Sequence, residues 1–311
     1  ELVQLEHDLT TYSEAILQIK QEAALTWTQI FQQSVLNLMG CSVNPTRLIG
    51  KSYNEENRPT QYEKDGVVIF QVYLNKLILC YLFSEYSQAV ENADLTKSHL
   101  IQGRAAPLEP LYYLYDSLVR LATYPGSSAQ AQEEILKKVA FNQEKMKKWA
   151  HHAPMNYLHK YNLVQAETAR VLGKLLEAEE LYEQAIQGAQ DNDYLQEEAL
   201  AYELAAKFYL SRGREKFAQT YMKEAHYCYE RWGATAKVND LETRYPQFFP
   251  QSPGIADTSI RTTSGTTSNT SHIAFDLTAV MKASQAISRE IELDQLYYAS
   301  VAISPNCKLF T

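Results

Sequence analysis

The residues able to do chemistry are few, and their spacing limits them. His152 and His159 lie seven apart, about two helical turns, with His151 alongside. That spacing could put two imidazoles on one face for zinc, but tetrahedral zinc needs further ligands, and Pro154 falls between the two and breaks the shared face. Surface or capping roles follow for all three. The carboxylate pairs Glu177/Glu180 and Glu197/Glu198 read as solvated helix surface, each worth less than about 1 kcal/mol through helix pairing and dipole effects. Cysteines stand at 41, 80, 228 and 307, with no C-x-x-C pair. Three of them fall inside apolar helical patterns, where a free thiol acts as a small hydrophobe in a reducing, cytosolic setting. No G-x-x-x-x-G-K-[ST], G-x-G-x-x-G, H-R-D or D-F-G string occurs. "SHIAF" at 271–275 shares only its first two letters with a histidine phosphoacceptor box. The sequence therefore assigns no catalytic, cofactor-binding or metal-binding residue.

Composition sets the frame for these groups. The chain has 311 residues and a formal net charge of −8, with no basic stripe, which argues against nucleic acid as a partner. No apolar run of about 18 residues appears, so no membrane span is expected and the location reads as cytoplasmic. The start, "ELVQLEHDL", lacks methionine and is already in helical periodicity, so the chain reads as cut from something larger. Tyrosine outnumbers phenylalanine 22 to 10, which suits half-buried helical surfaces where the ring packs and the hydroxyl stays wet.

Periodicity then places the elements. Leu5, Leu9, Tyr12, Ile16 and Ile19 form one buried helical face; Leu25, Ile30, Val35 and Leu38 form a second, which ends near Gly40. Residues 42–66 are polar, carry Pro45 and Pro59, and read as a loop. Helices are predicted at 67–82, 85–101, 108–123, 128–150, 155–172, 175–190, 194–211, 214–231 and 234–244. Trp232–Gly233 followed by Ala234 and Ala236 predicts a tightly packed hairpin. In 252–272 eleven of twenty-one residues are Ser or Thr, too little apolar surface to offset chain entropy. The domain reading is a helical-repeat domain over 1–250, a disordered linker over 251–272, a signalling helix over 273–300 and an unstructured tail over 301–311. In 273–296, Ile273, Leu277, Val280, Met281, Ile287 and Ile291 make a stripe that needs a partner helix, predicting a homodimer through that segment.

An internal repeat organises the middle of the chain. Ala166, Gly173, Ala178, Tyr182 and Ala185 recur as Ala206, Gly213, Ala218, Met222 and Ala225, all at an offset of 40. A weaker copy puts Ser84 in the glycine's place and Ala89 in the first alanine's. Small residues let two backbones cross closely, and glycine suits the turn. The offsets resemble the tetratricopeptide repeat, whose period is shorter at about 34. The fold class predicted is all-α: stacked antiparallel helix hairpins, followed by a flexible linker and one helix.

Four strings carry a closer resemblance: "KMKKWAHHAPMNYLHKYNLVQAE" (145–167), "EEALAYELAAKFYLSRG" (197–213), "AHYCYERWGATAKVNDLE" (225–242) and "LTAVMKASQAIS" (277–288). Together they resemble the large cyanobacterial multi-sensor hybrid serine/threonine and histidine kinases. The resemblance implies the helical-repeat region between the ATPase-like and GAF domains of such a kinase. It implies a non-catalytic interaction and relay module whose partners are proteins or peptides, including other domains of the same kinase. Stacked hairpins present a concave surface, for which Asn156, His159, Lys160, Tyr202 and Lys207 are the candidate contact residues. The other reading is a fragment with the parent's ATP-dependent protein phosphorylation.

Overall fold

The computed structural model describes residues 1–57, 65–100 and 108–249; the expected linker, signalling helix and tail lie outside the described residues. Among the described residues there are eleven α-helices and no strands. They are α1 (Leu2–Gln18), α2 (Glu22–Leu38), α3 (Gly66–Leu82), α4 (Tyr86–Ser98), α5 (Glu109–Thr123), α6 (Ala129–His152), α7 (Pro154–Val171), α8 (Leu175–Asp191), α9 (Leu195–Ser211), α10 (Glu215–Trp232) and α11 (Thr235–Arg244). Each helix packs on its sequence neighbour, and α5, α7 and α9 also pack in succession, so consecutive hairpins stack.

One turn chemistry makes most of the hairpins. At the ends of α2, α3, α7, α9 and α10 the residues Gly40, Ser84, Gly173, Gly213 and Gly233 take positive φ. The next amide then reaches back to close the helix: Glu85 N–H to Cys80 O at 2.8 Å, Lys174 N–H to Ala169 O at 2.9 Å, Arg214 N–H to Tyr209 O at 3.0 Å. This satisfies carbonyls that a helix end otherwise leaves open. Nothing would meet a Cβ at Gly173 or Gly213 within 4 Å, so glycine is selected there by its backbone angle. Ser84 adopts the same left-handed conformation at φ 62° with a side chain attached.

The small residues of the repeat are buried. Ala166, Ala178, Ala206, Ala218 and Ala225 are each 0% exposed, and Ala185, Tyr182 and Met222 are also buried. Gly188 brings α8 close to α7: a Cβ there would come 3.1 Å from the Cβ of His159. Ala234 after Gly233 is buried too, so α10 and α11 turn tightly upon each other.

The segment read as a bare polar loop is tied down over 44–57. Gln33 accepts from the amides of Ser52 and Tyr53 at 3.1 and 3.3 Å, and Asn37 donates to the carbonyls of Pro45 and Arg47 at 3.1 and 2.7 Å. Buried amide side chains on α2 thus replace the missing secondary structure as hydrogen-bond partners. Cys41 is exposed at the start of this segment, outside any helix, while Cys80 and Cys228 are buried as small hydrophobes.

The stack does not run outward as an open superhelix. Its last described helix, α11, returns to the first hairpins. It packs on α2, and Gly233, just before it, lies against Leu2. Two cations fix the closure. Lys237 donates to Leu82 O at 2.6 Å, and Arg244 donates to Phe83 O at 2.6 Å. Both carbonyls belong to the C-terminal end of α3, where orphan acceptors and the negative pole of the helix favour positive charge.

Candidate interaction surface

The inner helices of the stack are α7 and α9, and α9 decides what the inner face can do. Its sequence, "LQEEALAYELAAKFYLS", buries twelve of seventeen residues, including Glu197, Glu198 and Glu203. The pair Glu197/Glu198, expected on a solvated surface, is therefore in the interior at 4% and 8% exposure. Helices pack on more than one side of α9, so its charged residues are enclosed with their partners. Glu177 and Glu180 on α8 are exposed.

Two ionic clusters result. In the first, Glu203 takes Lys207 at 2.7 Å, Lys237 at 3.1 Å and the Tyr229 hydroxyl at 2.9 Å. Lys207 and Lys237 outweigh burial and hold the Glu203 carboxyl down at about 2. Lys237 also binds Asp240 at 3.0 Å and sits 5.8 Å from the rings of Phe83 and Tyr229. A fully buried ammonium is costly unless its donors are used. Here carboxylates, a helix-end carbonyl and two aromatic faces take them.

In the second cluster Lys160, 0% exposed, lies 3.9 Å over the Tyr194 ring. It donates to Asn156 O at 3.0 Å and approaches His159 Nε2 at 3.2 Å and Glu197 at 3.4 Å. The Tyr194 hydroxyl donates to Asn156 Oδ1 at 2.9 Å, and its ring packs 4.6 Å from His159. Burial, and then the Lys160 charge, push the His159 imidazole down to about 2. Burial also lowers Lys160 and raises Glu197, each against the pull of the other.

The five candidate contact residues are thus divided. His159 and Lys160 are buried: the Lys160 ammonium is held by internal partners, while of the His159 ring only Nε2 is engaged and Nδ1 is buried without a hydrogen-bond partner; Asn156, Tyr202 and Lys207 are half-buried. The Tyr202 ring packs tilted 6.0 Å from Tyr221, and burial raises its hydroxyl to about 12. Asn156, His159 and Lys160 do come together; Tyr202 and Lys207 belong to α9 and lie near other groups. Glu203, Lys237, Tyr194 and Glu197 are the residues that sequence reasoning missed. Their signal was charge within an otherwise apolar helix, most visible in α9.

Two buried tyrosines of earlier helices lie near these carboxylates. Tyr81 of α3 and Tyr115 of α5 pack edge to face at 5.6 Å. Burial raises both hydroxyls, with further upward pushes from Glu167 and Glu203 on Tyr81 and from Glu197 and Glu203 on Tyr115. Glu167 itself accepts from Arg170 at 2.7 and 3.0 Å and from the Tyr182 hydroxyl. What remains accessible is the rim. Met155 and Leu158 at the start of α7 are 52% and 43% exposed, beside Asn156; Leu172, Leu175, Leu176 and Phe217 are exposed at hairpin turns.

His159 stands on a different helix from His151 and His152, whose rings pack at 5.2 Å. No group of three His, Cys, Asp or Glu side chains among the described residues could hold a metal ion. No helix among them is long and apolar enough to cross a membrane.

Comparison with known proteins gives one partial likeness. The chain is 43% identical over 58 residues to hybrid signal transduction histidine kinase G of Dictyostelium discoideum, covering 19% of this chain and 2% of that protein. The chain thus spans a very small part of the curated relative it matches. No protein-family model and no solved structure matches. The fold is an all-α hairpin stack, and the likeness suggests a signal-transduction context.

Proposed function

We propose that this chain is a non-catalytic protein-interaction and signal-relay module of a multidomain signal-transduction kinase. The observation that carries the reading is the stretch of 43% identity to a hybrid signalling histidine kinase. The site supports it in a specific way: the charged groups of both clusters are buried or half-buried and paired with one another, so the described surface offers packing rather than these groups. A tetratricopeptide-like stack holds ligands by shape and by scattered polar contacts. In this chain the accessible part is Met155, Asn156 and Leu158 at the start of α7; the half-buried Tyr202 and Lys207 lie elsewhere, on α9. The ligand is a peptide or another domain of the same kinase, with an apolar anchor seated on Met155 and Leu158.

Two measurements test it. Incubation with labelled ATP is expected to give no incorporation into the chain or added protein; incorporation by the chain alone sinks the non-catalytic reading. Immobilised chain is expected to retain purified domains of its parent kinase, and Met155→Asp with Leu158→Asp should weaken that retention at least tenfold. Retention unchanged by the pair removes the rim from the proposal.

A further inference from the structure

A polar cleft lies between α1, α2 and the segment that follows α2. Leu2 and Leu9 anchor α1, while Tyr12 and Ile19, expected in its buried face, are exposed. Glu6, Thr10 and Glu14 fall four apart and form one strip of the helix. Gln32 of α2, itself buried, donates to Glu6 and Thr10 at 3.3 and 2.7 Å. The third wall is delivered by a close approach. A Cβ on Gly50 would come 2.4 Å from the Gln33 carboxamide, so glycine lets the chain pass there. Gln33 then holds the amides of Ser52 and Tyr53, and Lys51 between them reaches back to Glu6 at 3.1 Å. The cleft has a volume of about 280 Å³, and Ser13, Glu14, Gln29 and Ser52 complete its lining.

Part of this polarity is unspent. The Ser13 hydroxyl oxygen is buried without a hydrogen-bond partner, which costs free energy unless something else supplies one. Among the described residues the Glu14 carboxylate and the Gln29 carboxamide bond no other group. Lys51 carries three donors and spends one on Glu6. The geometry points to a dipeptide with small side chains as the ligand of this cleft, its ammonium on Glu14 and its carboxylate on Lys51. Glu14 lies two steps of four beyond Glu6, the partner of Lys51, or about 12 Å along the helix. A hydrogen bond of about 3 Å at each end leaves about 6 Å between the charged ends of the ligand. Two extended residues span at most about 7 Å. The middle of such a ligand is a peptide group, which the Gln29 and Gln32 carboxamides and the Ser13 hydroxyl match as donors and acceptors. The volume stands at the small end of ligand sites, which run from roughly 300 to 1,000 Å³, and keeps the side chains short. A sugar would leave the two charges unused, and a diamine would set a second ammonium against Lys51. The proposal stands on this hairpin alone and needs no kinase context.

The test is a titration of the whole 311-residue chain with alanyl-alanine and glycyl-glycine, followed by amide chemical shifts. Saturable changes at residues 10–14, 29–33 and 51–52 are expected, with a Kd on the order of 1 mM or below. Blocking either end, as N-acetyl-alanyl-alanine or alanyl-alanine amide, should weaken binding at least tenfold. Glu14→Gln and Lys51→Met should each do the same. Both positions are exposed, so the variants should keep the parent's shifts elsewhere. Ser13→Ala should weaken binding about threefold or more. No saturation by either dipeptide up to about 10 mM overturns the proposal. So do shifts that map outside the cleft, or binding that the blocked ends or both charge variants leave unchanged. Glucose or putrescine binding as tightly as the dipeptides also overturns it and assigns the cleft to a sugar or a diamine. Free alanine binding as tightly as alanyl-alanine removes the peptide group from Gln29 and Gln32 and overturns the dipeptide. None of these readouts involves retention of kinase domains, so the two proposals fail separately.

Discussion

Replacing Lys237 with methionine should cost about 3 kcal/mol and release the closure of the stack. Lys237 is fully buried, and its ammonium holds Leu82 O at 2.6 Å, Glu203 at 3.1 Å and Asp240 at 3.0 Å. Removing one partner of a buried ion pair costs roughly 3–5 kcal/mol when the other charge is left uncompensated. Glu203 is not left so: Lys207 at 2.7 Å and the Tyr229 hydroxyl at 2.9 Å remain. That moves the electrostatic part toward the low end or below it. The Leu82 carbonyl loses its buried donor, which adds about 1–3 kcal/mol. Methionine keeps the stem's packing, so the cavity contribution is small. Urea unfolding of the variant should show the midpoint shift with little change in slope. A double-mutant cycle with Glu203→Gln should give a coupling of about 1–3 kcal/mol. A loss under about 1 kcal/mol, or no coupling, would refute the assignment of Lys237 as the residue that ties α11 to α9 and to the end of α3.

Three further outcomes follow from the same geometry. The unfolded chain protonates His159 below its ordinary value of 6.5 while the folded chain keeps it neutral down to about 2. Stability should therefore fall as pH drops below 6.5, by up to about 1.4 kcal/mol per unit from this group, and His159→Phe should flatten that slope in urea melts at pH 7 and 5. Ser84→Gly, at φ 62°, should raise stability by roughly 1 kcal/mol, read as a higher melting temperature, because the left-handed conformation costs an L residue about that much. Ala178→Leu should overpack a crossing that is 0% exposed and cost about 1–3 kcal/mol; equal urea midpoints would show that α7 and α8 do not meet closely there.

The hairpins were legible because each helix carries its own signals. Apolar residues three and four apart, a proline opening α7 and glycines ending α2, α7, α9 and α10 fix most bounds to within a residue or two. The offset of 40 that links Ala166 to Ala206 shows in the structure as two buried alanines at equivalent places. The candidate surface was less legible, and α9 shows why. Glu197 and Glu198 read as solvent-facing because carboxylates usually are, yet both are buried, and Glu203, which carried no reading from sequence, is held by Lys237, 34 residues away. Nothing near Lys237 in sequence announces that its nearest acceptor is Leu82 O, 155 residues upstream. The closure is a long-range event, and local periodicity carries no record of it. His159 and Lys160 are interior for a nearer reason: Tyr194 packs on both, Gly188 lies against His159 and Glu197 faces Lys160.

The account depends most on the stack closing upon itself. Spin labels on cysteines at Glu85 and Thr243, two exposed sites beside the Phe83–Arg244 contact, test this directly once Cys41 and Cys307 are replaced by serine. Closure predicts strong dipolar broadening from a single close population, lost on Lys237→Met. Two well-separated, non-interacting labels in the parent chain would mean that the hairpins run on as an open superhelix with a free inner face, and the closed scaffold would have to be abandoned.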